Sequence, residues 1–416
     1  MSAVKFTEGT NKFYAKAGKW LDMKAKVSTD SSMVYTVRFE KLTQLFSLQL
    51  DKEDKISRFD FKAMPIVKGT KNYPVQSNNP LRTSTDSLVE KLVRPYIQQS
   101  HTTGLVVAIL KNGKIYRYSY GETKKRSNSL PDPKKTIFEI GSVTKTFTSL
   151  LLAREVVQKN MQLHDPINKY LPNFIPPLRY QTTAITLQHL ANHTSGFPRL
   201  PDNIFKGNVN PVDPYRHYGK DSLYRFLQTY QPTSLPGTRF SYSNFGAGVL
   251  GCILAQKAKM SFEQLIVAKI CHPLQMKDTR IELTPKDSVR FAQGYNESGE
   301  PTAPWNLASL QGSGAIRSTL NDMIRYTQAQ LGQLHTSLDK AILLTHQITF
   351  RSSDNTMALG WRVKQLNDQI YWHHSGGTGG FRSFVGFVKD RQLGVVILSN
   401  TAEEVTAIGQ AFLETK

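Results

Sequence analysis

Hydrophobic and polar residues alternate with a period of two at Tyr35, Val37 and Phe39, and again at Phe46, Leu48 and Leu50. Phe59 and Phe61 continue the pattern beyond the polar turn Asp51-Lys52-Glu53-Asp54. Alternate side chains of a strand share a face, so the three runs predict an antiparallel meander with one apolar side. The residues from Thr7 to Trp20 predict a helix to cover that side, which makes residues 1–64 a small helix-plus-antiparallel-sheet domain. Pro74, Pro80, Lys68-Gly69-Thr70 and Ser77-Asn78-Asn79 break any period across residues 65–84, which read as a linker.

Beyond the linker the spacing changes. A helical pattern over Asp86–Gln99 precedes two apolar runs, Leu105–Leu110 and Lys114–Tyr120, joined by Asn112-Gly113. Asn-Gly between two such runs is a two-residue hairpin signal, because both residues tolerate positive φ. A second hairpin is expected at Phe381–Val388 and Leu393–Leu398, followed by a helix reaching Leu413.

At 416 residues the chain exceeds the size at which a single core stops growing, in keeping with more than one folding unit. No apolar run approaches the ~20 residues needed to span a bilayer, and Met1-Ser2-Ala3-Val4-Lys5-Phe6 lacks the apolar stretch of an export signal. Cys252 and Cys271 lie in apolar surroundings and read as buried free thiols. No His, Cys, Asp and Glu cluster has metal spacing; His373 and His374, adjacent in a strand, face opposite ways and make poor co-ligands. With 53 Lys and Arg against 32 Asp and Glu, the formal charge of +21 attracts polyanions. The basic residues are spread without a nucleic-acid-reading motif, and the Lys124-Lys125-Arg126 run reads as solvated loop; attraction to anionic cell-wall polymers or lipid surfaces, or simply a basic proteome, explains that charge as well.

Three short motifs carry chemistry. Ser142-Val143-Thr144-Lys145 puts a hydroxyl and an amine on one face where a helix begins. A buried amine with a lowered pKa can take the proton of a serine nucleophile, though the same residues also fit a helix cap and a surface lysine. Tyr242-Ser243-Asn244 offers a phenol to relay a proton and an amide to orient a lysine or a carbonyl; its plainer reading is a turn before a helix. His374-Ser375-Gly376-Gly377 joins polar side chains to glycines that let a substrate lie close, or marks a glycine-rich strand edge.

In that order the motifs resemble the penicillin-recognising serine hydrolases, specifically the class C β-lactamase-like branch, and Asn192–Pro198 and Gly312–Met323 look like further segments of it. The resemblance covers residues 85–416. It implies an α+β fold, an antiparallel sheet flanked by helices with a mainly helical region at about 176–309, and no cofactor. It also implies an acyl-enzyme on Ser142, with Lys145 and Tyr242 sharing the proton traffic. Asn244, His374, Ser375, Gly376 and Gly377 would bind substrate, with the Ser142 and Gly377 N–H groups as oxyanion hole. His374 stands where well-known members carry lysine, and a histidine near ~6.5 is mostly neutral at neutral pH, so a D-amino-acid peptide or small ester rivals a β-lactam as substrate. Arg382 could restore the charge, but reads first as solvated. His164 and His189 read as structural and His193 as cleft wall, while Gly312-Ser313-Gly314 does not complete a Gly-x-Ser-x-Gly elbow. The alternative function is a penicillin-binding sensor that acylates without turnover. The family's usual location implies a periplasmic or extracellular enzyme if an export signal was trimmed, and otherwise a cytoplasmic one.

Overall fold

The computed structural model describes residues 20–28, 32–39, 43–50, 56–63, 69–206, 209–210, 213–366 and 369–415. The chain divides into two compact units, Met1–Val67 and Lys68–Lys416.

In the first unit β1 (Trp20–Ser28), β2 (Ser32–Phe39), β3 (Thr43–Leu50) and β4 (Ile56–Ala63) form an antiparallel sheet in chain order. The register sets Tyr35 opposite Phe46, their rings 6.3 Å apart, and Phe46 opposite Phe61. The alternation in the sequence therefore shows directly in the cross-strand pairs. Trp20, expected to end a helix, instead opens β1; the rest of that expected helix lies outside the described residues.

The second unit opens with α1 (Ser84–Ile97), whose N-cap Thr83 closes a capping box with Asp86. β5 (Gly104–Lys111) and β6 (Lys114–Gly121) form the expected hairpin, with Asn112 and Gly113 at φ of 52° and 74° as a two-residue turn of this kind requires. Short β7 (Ile137–Glu139) leads into α2 (Thr144–Val157), and α3 (Asn244–Ala258) follows within a largely helical region. Near the other end of the unit come β8 (Arg362–Leu366), β9 (Gln369–Gly377), β10 (Arg382–Val388) and β11 (Leu393–Ser399), then α4 (Thr406–Glu414). β8 to β11 lie side by side, and β11 pairs antiparallel with β5, Val395 opposite Ile109, so both hairpins belong to one eight-stranded sheet.

This sheet is buried on both faces. Val106, Ala108 and Leu110 of β5 enter the core shared with α2 and α3, while Leu105, Val107 and Ile109 enter the core under α1 and α4. Hence β5 reads as a continuous apolar run and not as an alternating one.

Residues 69–83, expected as linker, dock onto the second unit. Thr70 bridges Gln99, Ser77 bridges Tyr120 at the outer strand β6, and Val75 is buried in the core beneath α1. Pro74 and Pro80 prevent a regular ladder, which is why the composition suggests a linker; single bridges still shield the sheet edge.

Candidate active site

The nucleophile turn is held from three sides. Ile140 N–H donates to Ile316 O, Ser383 Oγ donates to Ile140 O at 2.7 Å, and Gly141 turns the chain at φ 49° into the single 3₁₀ turn before α2. The end of β9 runs against this turn with no room for side chains. A Cβ on Gly376 would lie 2.0 Å from Ile140 O, and one on Gly141 would lie 2.6 Å from Gly377 N. The glycines thus set backbone against backbone beside Ser142.

Ser142 is partly exposed, whereas Lys145, one turn later on α2, is 2 % exposed. Lys145 Nζ donates to Ser142 Oγ at 3.0 Å, Asn244 Oδ1 at 2.8 Å and Ser313 O at 2.6 Å, and lies 4.8 Å from the centre of the Tyr242 ring. Burial pushes the amine below the usual lysine range; the Tyr242 phenol opposes that shift and Arg199 adds to it. Asn244 is the first residue of α3, and its cap is Ser243, whose Oγ accepts from Gly246 N–H. The Asn244 side chain is thereby free to face the amine. Ser313 Oγ donates to Leu310 O, so this serine contributes its carbonyl. Sequence reasoning about Gly312-Ser313-Gly314 did not identify that role.

Two histidines flank Tyr242. His374, 2 % exposed, approaches Ser375 O with Nδ1 at 2.7 Å; a carbonyl only accepts, so the proton sits on Nδ1 and Nε2 presents a lone pair with no partner among the described residues. His193 Nδ1 accepts from Ser243 N–H at 3.3 Å, which places its proton on Nε2. Its ring centre is 4.5 Å from that of Tyr242, and the His374 ring centre 6.4 Å. Both imidazoles are held well below the usual range by burial and by the Lys145 charge, so both are neutral. His373, on the opposite face of β9, packs with Tyr371 and Phe384.

The charge absent from His374 is present nearby. The Arg199 guanidinium lies 5.2 Å from the Tyr242 ring centre, and that of Arg362 lies 6.0 Å from it and 5.2 Å from Phe240. Neither makes an ion pair among the described residues. Arg199 escaped sequence reasoning although it follows Phe197-Pro198, and Arg362 had no motif around it. Arg382, expected to be solvated, is instead 14 % exposed and bonds Glu404 Oε1 at 2.7 Å, because alternation on β10 turns it along Gly377 toward acidic neighbours. On the other side of Ser142 is a small cleft, walled in part by Leu200, Tyr215, Trp305, Leu307 and Leu310. His189 closes a capping box with Thr186, and His164 is exposed. Cys252 and Cys271 are free thiols. Among the described residues no group of His, Cys, Asp and Glu could hold a metal ion.

A partly exposed hydroxyl bonded to a desolvated amine, with a phenol beside it and a cleft in front, is equipped for acyl transfer. The comparisons agree. The sequence profile of the Beta-lactamase family matches residues 89–413. A β-lactamase of Pseudomonas fluorescens is 30% identical over 368 residues, 78% of this chain and 97% of the relative. One of Escherichia coli K12 is 28% identical over 351 residues, 76% and 88% of the two chains. A class C β-lactamase structure superposes with a TM-score of 0.70 at 24% identity, over 82% of this chain and all of the other. The β-lactamase/D-alanine carboxypeptidase of Pseudomonas syringae superposes with a TM-score of 0.68 at 27% identity, over 80% and 97%. From the Ser142–Lys145 pair, the fold around it and these likenesses, the chain belongs to the β-lactamase family of serine hydrolases.

Proposed function

We propose that the protein hydrolyses β-lactams through an acyl-enzyme on Ser142. The observation that carries this reading is the Lys145 amine, buried and 3.0 Å from the Ser142 hydroxyl. Neutral Lys145 accepts the Ser142 proton as Oγ attacks the carbonyl carbon; Tyr242 passes a proton to the departing nitrogen, and water then cleaves the ester. Asn244 holds the amine in line. The N–H groups of Ser142 and Gly377 are the expected oxyanion donors, an arrangement the close approach of Gly141 to Gly377 supports. Arg199 and Arg362 supply the positive charge for a substrate carboxylate that the neutral His374 does not, with Ser375 and Gly376 lining the same strand end.

D-amino-acid peptides are the second reading, favoured by His374 at the third motif and by the name of the Pseudomonas syringae neighbour. Either substrate fits an enzyme working outside the cytoplasm. Among the described residues no helix is long and apolar enough to cross a membrane.

The test is intact-protein mass after incubation with a penicillin and, separately, a fluorophosphonate, together with turnover of a chromogenic cephalosporin and a D-alanyl-D-alanine peptide. An adduct on the native protein, absent in Ser142→Ala, is expected, with faster turnover of the cephalosporin. Full activity in Ser142→Ala overturns the mechanism; faster turnover of the peptide selects the second reading.

A further inference from the structure

A larger cleft, of about 480 Å³, opens elsewhere in the second unit and shares no lining residue with the Ser142 cleft. Its walls are the docked segment at Lys71–Gln76, the entry to β5 at Thr102 and Thr103, and the loop after β6 from Glu122 to Asn128.

Its chemistry is rich in donors and poor in acceptors. Lys71 Nζ is tethered by Ile97 O at 2.6 Å and Thr102 Oγ1 at 3.2 Å, which leaves one N–H. Lys125 Nζ is tethered by Gly299 O and lies 4.9 Å from the Tyr295 ring centre, which leaves two. Burial, and then the nearby Lys125 charge, lower Lys71 to about 8, while Glu122 acts the other way. Arg126, at the rim, has no side-chain bond among the described residues. Glu122 is the single carboxylate of the lining, and its two oxygens accept the Arg126 and Asn128 N–H groups at 2.8 Å each. Thr103, 4 % exposed, lines the cleft with an Oγ1 that has no hydrogen-bond partner among the described residues. Three cations against one carboxylate leave the cleft with a charge near +2, the complement of a phosphate group at neutral pH.

We propose that this cleft binds a phosphate group, free or carried on a phosphodiester polymer. It gives a specific address to a charge of +21 that hydrolysis at Ser142 does not use.

Calorimetric titration of the full chain with inorganic phosphate and, separately, with poly(glycerol phosphate), at constant ionic strength, tests it. One saturable site is expected. Lys125→Gln and Arg126→Gln each weaken it by about tenfold, whereas Lys124→Gln, exposed and outside the lining, changes it less than about twofold. Hydrolysis at Ser142 stays unchanged in all three. Should loss of the Lys125 tether unfold the loop, Arg126→Gln carries the test, since its side chain holds nothing in place. Saturation by inorganic phosphate alone identifies a small phosphate ligand; saturation by the polymer, reversed by inorganic phosphate, identifies the polymer. Failure of both probes to saturate, or an equal loss in Lys124→Gln, overturns the proposal in favour of diffuse surface attraction. Because the readout is binding, the outcome is independent of the acyl-enzyme reading.

Discussion

Lys145 gathers three acceptors around one amine: Asn244 and Ser313 fix its place, and once the ammonium has lost a proton the Ser142 hydroxyl donates to the freed lone pair. Lys145→Ala removes that base, and a fall in acylation rate of about 10³-fold or more is expected by stopped-flow with the cephalosporin. Arg199 acts on the same amine through space. A nearby cation disfavours the ammonium form and so lowers the pKa; removing it raises the pKa, and the base form then needs a higher pH. Arg199→Gln is therefore expected to move the acid limb of the kcat/KM profile upward. It should also raise KM by about tenfold for a carboxylate-bearing substrate while sparing a neutral p-nitrophenyl ester. Equal effects on both substrates would show that Arg199 does not read the carboxylate. Ser142, Lys145, Tyr242 and Asn244, which the structure gathers around one amine, were singled out by short motifs and by the family that those motifs together resemble, since each motif alone also fits a cap or a turn. The arginines were not, since nothing local says that residues 199 and 362 meet around a tyrosine at 242.

At the scale of elements, the site is a junction between the start of α2, the start of α3 and the end of β9. Gly376→Ala tests the tightest point of that junction, because the new methyl lies 2.0 Å from Ile140 O and 2.4 Å from Ser383 Oγ. β9 must then withdraw from the nucleophile turn. Turnover is expected to fall by about a hundredfold, with a lower melting temperature, as positions off by about 1 Å do at such sites. The hairpins and the terminal helices could be read from the sequence because their periods and the Asn112-Gly113 turn are local. The docking of residues 69–83 could not, since it rests on scattered bridges to partners at Gln99 and Tyr120. Trp20 likewise gave no sign of opening a strand, its pairing partner being Phe39.

For the whole molecule, buried neutral histidines set the response to acid. His189 and His373 are lowered to about 4 and His193, His346 and His374 are held well below the ordinary value of 6.5, all chiefly by burial. The unfolded chain takes up protons below pH 6.5 while the folded one does not, so stability falls as pH drops from about 6.5 to 4. Urea midpoints are expected to decline over that interval, and His373→Leu to flatten the decline. All the residues placed at the active site come from the second unit, so removing residues 1–67 is expected to leave ester hydrolysis largely intact; its collapse would give the first unit a part in the site. The pairing of β5 with β11 has a consequence for biogenesis. Ser399 Oγ bonds Gly104 O across 295 residues of chain, so an early hairpin cannot find its neighbour until the strand that ends at Ser399 has left the ribosome. Until then the backbone N–H and C=O groups along one edge of β5 stay unpaired, which leaves the growing chain open to chaperones.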